Sequence, residues 1–478
     1  MTDAVDRYES PLASRYASRA MSALFSERTR VGLFRRLWTA LARAESELGL
    51  PVTAEQTAAL AAKVDAADLV RAAELEKKLR HDVMAHVHHY REQCPEAGGV
   101  IHLGATSCDI TDNADLIIYR DALDLVSRKL REVLRRLRTF AVAERARVCV
   151  GYTHFQPAQF TTVGKRAVLW MQDFVLDHEE LGFVRETLRF RGLRGATGTQ
   201  DSFLKLFDGD HAKVAALESK VASAFGFDRC FGVSGQTYAR KFDSRILNAL
   251  GGVAQSAQKF ATDLRLLAHE NEVEEPFEKD QIGSSAMPYK RNPMRSERIC
   301  SLSRWLISLT QNPAQTAAQQ WLERTLDDSA NRRLAMAEGF LAADAILDLM
   351  LNVTRALVVR PAVIDRHVRE HLPFVASEEI LMHAVKRGGD RQELHEVIRT
   401  LSHAAFDQLK TAGGKNPFLE QAALHPELGP AMKTMGDRLQ PERFIGRAAE
   451  QVDAYLAEEV DPLLKRFADS GVSDEVRV

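Results

Sequence analysis

Eleven residues, Gly283-Ser284-Ser285-Ala286-Met287-Pro288-Tyr289-Lys290-Arg291-Asn292-Pro293, gather two hydroxyls, a lysine, an arginine and an amide with almost nothing apolar to bury. Hydroxyls beside fixed cations suit proton movement and the holding of anions. Gly283 permits backbone angles closed to other residues, while Pro288 and Pro293 keep helix out of the middle. A connection between helices needs far less chemistry than this, so the stretch reads as a working loop.

A second polar knot is Gly151-Tyr152-Thr153-His154-Phe155-Gln156-Pro157-Ala158-Gln159. Histidine side chains as a class titrate near neutrality, which makes His154 the first candidate for proton transfer. The competing reading is a hydrogen-bonded structural histidine in a turn ahead of a helix that starts at Pro157. Three arginine-rich segments (189–200, 235–241 and 321–333) offer forks that match carboxylate or phosphate, against the ordinary alternative of solvated arginines. His102 to Asn113 clusters small residues and hydroxyls just before a long helix, where unpaired N–H groups favour an anion. Simple capping by Asp109, Thr111 or Asp112 explains it equally.

Between Arg80 and His89 lie four histidines and Asp82. They lack the H-E-x-x-H arrangement of a metal site, and no metal is expected. His81 and Asp82 read as a polar helix face lining a cleft, His88 and His89 as solvated surface.

The elements that must position these groups are helices. Val31, Phe34, Leu37, Trp38 and Leu41 recur at helical spacing, and so do Leu116, Leu123, Val126, Leu130, Val133 and Leu137. Further long patterns run from Pro157 to Leu181, from Ile246 to Leu267, from Leu302 to Leu309 and from Leu334 to Leu351. Strand-like alternation is scarce. The expected fold is all-α: a central bundle of long helices (107–359) flanked by two smaller helical units (1–106 and 360–478). Apolar faces on such long helices suit oligomerisation.

Composition narrows the function. A formal net charge of −2 gives no general pull toward nucleic acid or acidic membranes, and no apolar run is long enough to span a bilayer. Five scattered cysteines in no C-x-x-C pair suit neither a disulfide framework nor zinc. The polar, acidic first ten residues lack a signal-peptide pattern, so a cytoplasmic protein is expected.

The loop resembles the Gly-Ser-Ser-x-Met-Pro-x-Lys-x-Asn-Pro signature of the fumarase/aspartase superfamily, lyases that eliminate fumarate from a succinyl group. Arg80 to His88, Ile101 to Ser107, Thr153 to Gln159, Gly235 to Tyr238, Met294 to Arg298 and Glu323 to Arg333 are similar to the adenylosuccinate lyase branch, as are Tyr289 and Arg291. The resemblance covers nearly the whole chain. It implies cleavage of fumarate from adenylosuccinate and from the succinyl-carboxamide ribotide of purine synthesis, without a cofactor. By that likeness Ser284 is the base, although the residues alone do not separate it from Ser285. His154 is the acid, Lys290 stabilises the aci-carboxylate, and Glu297 orients His154. Arg15, Tyr16, Arg324, Ser329 and Arg333 are expected on the phosphate side. Thr106, Ser107, Lys290 and Asn292 are expected at the carboxylates, and Arg80, His81, Asp82, Gln236 and Arg298 around them. It also implies a homotetramer with each site shared between subunits. The rival readings are another fumarate-releasing lyase, such as argininosuccinate lyase, and an inactive helical scaffold.

Overall fold

The computed structural model describes residues 8–467. Five helices make the central bundle: Ser107–Ala143, Val163–Thr187, Lys241–His269, Met294–Leu309 and Asp327–Thr354. The first is 37 residues long, and its start is fixed by a capping box in which the Asp109 carboxylate accepts the Thr106 N–H at 2.8 Å. Its buried stripe holds Leu116, Leu123, Val126, Leu130, Val133 and Leu137, as the period requires. Each such side chain contributes about 1.5–3 kcal/mol by leaving water. Phe260 meets Trp170 edge to face at 5.0 Å, and the indole N–H donates to Asp263 at 2.7 Å. Phe260→Ala here would cost about 3–5 kcal/mol.

One continuous core runs from Leu12 through all five long helices and takes in Val452, Leu456 and Val460 near the end of the described chain. A second, separate core gathers Ile380, Leu394, Phe418 and Leu428 among the shorter helices after Pro361. Deep in the bundle, Lys129 is held by the carboxylates of Asp344 and Asp348, and Asp344 also accepts the Ser18 N–H at 2.7 Å. That contact ties the N-terminal segment, with Arg15 and Tyr16, to the Asp327–Thr354 helix. Leu169, Leu176 and Phe183, seven residues apart on the Val163–Thr187 helix, are 46–58% exposed.

Sequence periodicity misplaces one element. The helix expected from Pro157 begins only at Val163, and Val148–Thr153 pairs antiparallel with Gln156–Thr162 as a β-hairpin. Pro157 sits inside the second strand opposite Tyr152, where the register slips. The β-branched residues Val148, Val150, Thr153, Thr161 and Thr162 favour this extended form. The hairpin's inner face packs on Ile364 and Val368 of the Pro361–Val375 helix, forming a third core.

Candidate active site

A cleft of about 700 Å³ opens where three helices start or pass one another. Arg80 ends the Leu69–Leu79 helix in a left-handed conformation (φ 55°), and the chain turns at once into Asp82–Gln93. The His81 side chain caps that second helix, facing the Met84 N–H at 3.4 Å. This sharp turn presents Arg80, His81 and Asp82 together at the cleft. Ser107 contributes from the first turn of its long helix. Ser329 and Arg333 contribute from the first turns of Asp327–Thr354, and Arg324 from the loop before it. Helix starts turn unpaired N–H groups and positive partial charge outward, so three of them at one cleft favour an anionic ligand. Gln236 is fixed by main-chain and side-chain bonds: its N–H donates to Glu323 at 2.9 Å and its amide to Ala196 at 3.0 Å.

The floor is ionic and largely buried. Arg240 forks onto Asp112 at 3.0 Å and reaches Asp328 at 2.6 Å, while Arg332 holds Asp243 at 2.6 Å and Asp115 at 3.2 Å. Burial pushes Asp112 up, but Arg240 and Arg332 outweigh it and hold the carboxyl below its ordinary range. Asp115 goes the other way, raised by burial more than Arg332 and Arg30 lower it. The Cys108 thiol on the cleft wall is pushed up to about 11, mainly by burial. Such a thiol stays protonated and inert.

Several arginines expected as anion clamps hold carboxylates of their own chain instead. Arg191 is buried against Asp109, Arg194 meets Glu218 at 2.8 Å, and Arg240 is committed to the floor. Full burial demands such pairing, which sequence alone does not reveal. The histidine cluster also differs from expectation at one position. His88 is exposed, but His89 is buried, and its Nε2 accepts the Asp68 N–H at 3.0 Å. Burial lowers the pKa of both His86 and His89. Among the described residues no group of three or more His, Cys, Asp or Glu is arranged to hold a metal ion.

Arg80, His81, Asp82, Ser107, Gln236, Arg324, Ser329 and Arg333 therefore line one cleft, with Thr106 capping the helix at its edge. Glu27, Arg30, Glu76, Asp115 and Tyr119 line it too, and no motif in the sequence marks them out. Their only signal is membership of polar helix faces. The lining holds six arginines (30, 80, 240, 324, 332, 333) and six carboxylates (27, 76, 82, 112, 115, 328), so its formal charge balances.

The other expected residues lie outside this lining. His154 is exposed at the tip of the hairpin, where it and Phe155 both have positive φ (52° and 56°). Two-residue hairpins favour that mirror-image turn, but usually with Asn-Gly, so two bulky residues there are strained. The Phe155 ring lies 5.7 Å from Tyr152. In the loop, the Ser284 hydroxyl accepts the N–H of Met287 at 3.1 Å and of Ala286 at 3.4 Å, whereas Ser285 and Lys290 face solvent. Asn292 donates to the Gly283 carbonyl at 2.9 Å and pinches the loop shut at its base. Gly283 serves close approach rather than unusual angles, since a Cβ there would lie 2.2 Å from the Lys290 carbonyl oxygen. Glu297 is exposed in the first turn of the following helix, and among the described residues nothing joins it to His154 within one chain. The Arg298 guanidinium lies 5.8 Å from the Tyr16 ring, and Arg15 is exposed beside it in a short helical turn.

Residues 13–306 match the family model described as Lyase, and residues 373–455 match the one described as Adenylosuccinate lyase C-terminus. The chain is 50% identical to the adenylosuccinate lyase of Saccharomyces cerevisiae over 97% of its length and 96% of the relative's. It is 46% identical to that of Schistosoma mansoni, with 98% of each chain covered, and 32% identical to that of Pyrococcus horikoshii, with 93% and 97% covered. Its fold resembles a crystal structure of a fumarate lyase from Mesorhizobium sp. BNC1, at a TM-score of 0.80 and 24% identity, covering 93% of this chain and 99% of that one. It also resembles the 3-carboxy-cis,cis-muconate lactonizing enzyme from Pseudomonas putida, at 0.83 and 22%, covering 95% and 99%. A near-complete match to these relatives, on an all-α bundle with this cleft, places the chain in the adenylosuccinate lyase family of the fumarase/aspartase superfamily.

Proposed function

We propose that this protein cleaves adenylosuccinate to AMP and fumarate, and the succinyl-carboxamide ribotide of purine synthesis to its carboxamide ribotide and fumarate. The observation that carries the reading is the convergence of Arg80, His81, Asp82, Ser107, Gln236, Arg324, Ser329 and Arg333, from distant stretches of sequence, on one cleft. Arginine forks and helix starts suit a ligand with a phosphate at one end and two carboxylates at the other.

The chemistry is a β-elimination. Ser284 takes a proton from the succinyl carbon next to a carboxylate. A hydroxyl is a weak base, so Ser284 acts as its alkoxide, having lost its own proton to solvent beforehand; the N–H groups of Met287 and Ala286 aimed at its oxygen stabilise that anion, which returns to the hydroxyl as it takes the substrate proton. That favours Ser284 over Ser285. Lys290 and Asn292 then meet the charge that builds on the aci-carboxylate, together with Thr106 and Ser107. His154 protonates the departing nitrogen, and Glu297 orients its imidazole. Arg15, Tyr16, Arg324, Ser329 and Arg333 hold the phosphate, with Arg298 alongside.

The protein acts as a homotetramer whose sites are shared. A charge-balanced cleft does not by itself attract a polyanion, so a site that also draws Lys290, Arg291 and Arg298 from neighbouring chains gains the missing positive charge. The exposed Leu169–Leu176–Phe183 stripe supplies an apolar face for helix packing between copies. Five free cysteines suit the reducing cytosol.

The test is direct: purified protein is mixed with adenylosuccinate, and AMP and fumarate are quantified, with argininosuccinate in a parallel reaction. Stoichiometric AMP and fumarate from the first alone is the expected result; fumarate only from the second overturns the reading.

A further inference from the structure

Glu272 is fully buried just beyond the Lys241–His269 helix, where three elements meet. Its Oε1 lies 2.8 Å from His367 Nδ1, on the Pro361–Val375 helix, and accepts the Tyr152 hydroxyl at 3.5 Å, from the first strand of the hairpin. Arg166, from the helix that follows the hairpin, lies 3.9 Å from Oε2 and donates to the Val150 carbonyl at 2.8 Å. The main chain adds to the junction, since the Glu272 carbonyl accepts the Arg360 N–H at 2.8 Å.

The next residues lead straight into the loop. Val273 and Glu274 pair with Val358 and Val359, and Arg360 grips the Glu274 carboxylate at 2.8 Å. Glu275 then accepts the N–H groups of Arg295 at 3.1 Å and Ser296 at 2.9 Å, clamping the two ends of the loop together. One buried residue thus joins the two segments: its main chain leads into the stem of the Ser284 loop, and its carboxylate reaches Tyr152 on the strand that ends at Thr153, one residue before His154.

Packing alone does not require a charge here. The hairpin already buries Val148, Val150 and Phe160 against Ile364 and Val368. A buried carboxylate costs solvation that an apolar side chain does not, and its Oε2 makes no hydrogen bond among the described residues. Its directional bonds provide what packing cannot, a fixed orientation.

We propose that Glu272 is a positioning residue for the lyase reaction. Through Tyr152 and His367 it sets the hairpin that carries His154, and through its own main chain it sets the stem of the loop that carries Ser284. The two segments of one chain therefore move together. This rests on the roles proposed above for His154 and Ser284. Where the two segments of one chain serve different sites, the Glu272 junction mechanically links those sites.

The experiment compares Glu272→Leu, which removes both acceptors, with Glu272→Gln, which keeps one, in the full-length assembly. Glu272→Leu is expected to lower kcat about tenfold or more with KM within about threefold, and Gln to recover most of the loss. Hydrogen exchange is measured on the same samples. Faster exchange is expected both at 150–157 and at 281–293, with 82–93 unchanged. Wild-type kcat in the leucine variant, or exchange altered in only one of the two segments, overturns the proposal. His367→Leu, at a position 13% exposed, carries the same expectation at about threefold in kcat should the leucine variant of Glu272 fail to fold. Unchanged kcat and exchange in His367→Leu also overturn it. Exchange is read without substrate, so a wild-type protein that releases no fumarate defeats the proposed activity while the junction is still judged on its own.

Discussion

The Arg333 guanidinium lies 3.0 Å from the Asp82 carboxylate and joins two helix starts across the cleft. Burial pushes Asp82 up, but the Val83 N–H and the charges of Arg333 and Arg30 outweigh it and lower its pKa. Asp82 is therefore an anion already seated on the fork expected to take the substrate's phosphate. An exposed pair of this kind is worth about 0.2–1 kcal/mol, so a ligand displaces it readily. Asp82→Asn should free the fork and tighten AMP binding about two- to fivefold, even as turnover falls. Product-inhibition constants for AMP check this; weaker binding in the variant would show that Asp82 supports the phosphate site instead of competing for it.

Neither His154 nor Ser284 lines the cleft of its own chain. His154→Ala and Ser284→Ala should each lose at least about a hundredfold in turnover, the scale of acid–base and electrostatic contributions. Co-expressed in one cell, the two dead variants should assemble into mixed oligomers with some intact sites, regaining at least about tenfold over either alone. No gain in oligomers proven to be mixed by mass would falsify the supply of His154 and Ser284 to one site by different chains. Ser285→Ala should cost far less than Ser284→Ala, because only Ser284 is cradled by backbone N–H groups.

Gly283→Ala places a methyl 2.2 Å from the Lys290 carbonyl oxygen. The loop must spread, carrying Ser284 and Lys290 apart, and kcat should fall about tenfold or more. The loop contributes little to the core, so Tm should stay close to wild type. A large drop in Tm would mean that the pinch supports the fold rather than the chemistry.

Glu45 is fully buried, neither carboxylate oxygen has a hydrogen-bond partner among the described residues, and burial raises its pKa to about 8. A raised pKa means that stability is greatest while both folded and unfolded states are protonated, below about 4.5. It is then lost as pH climbs toward 8. Glu45→Gln should match wild type in Tm near pH 4.5 and exceed it by a margin that grows to about pH 8, up to about 5 kcal/mol in stability. Scanning calorimetry across that range checks the slope; parallel curves would place Glu45 in a polar setting.

The long helices were readable because repeats such as Leu116–Leu123–Leu130–Leu137 persist over many turns. The loop was readable because so many polar groups serve no packing purpose. The hairpin was missed because Pro157 resembles a helix start, whereas strand pairing with Tyr152 depends on a partner the local pattern does not show. Glu27, Arg30 and Asp115 were missed for a related reason. On a helix face, a charged residue lining a cleft is indistinguishable from one facing bulk water. The fate of Arg191 and Arg240 was hidden likewise, since only the fold brings Asp109 and Asp112 beneath them.

The hairpin tip has a consequence for anyone improving this protein. His154 and Phe155 occupy conformations that Asn-Gly would adopt far more comfortably. Selection for heat tolerance alone would therefore drift toward that pair and, on the role proposed for His154, return robust but idle variants. A library that varies Phe155 while keeping the imidazole fixed offers the safer route to durability.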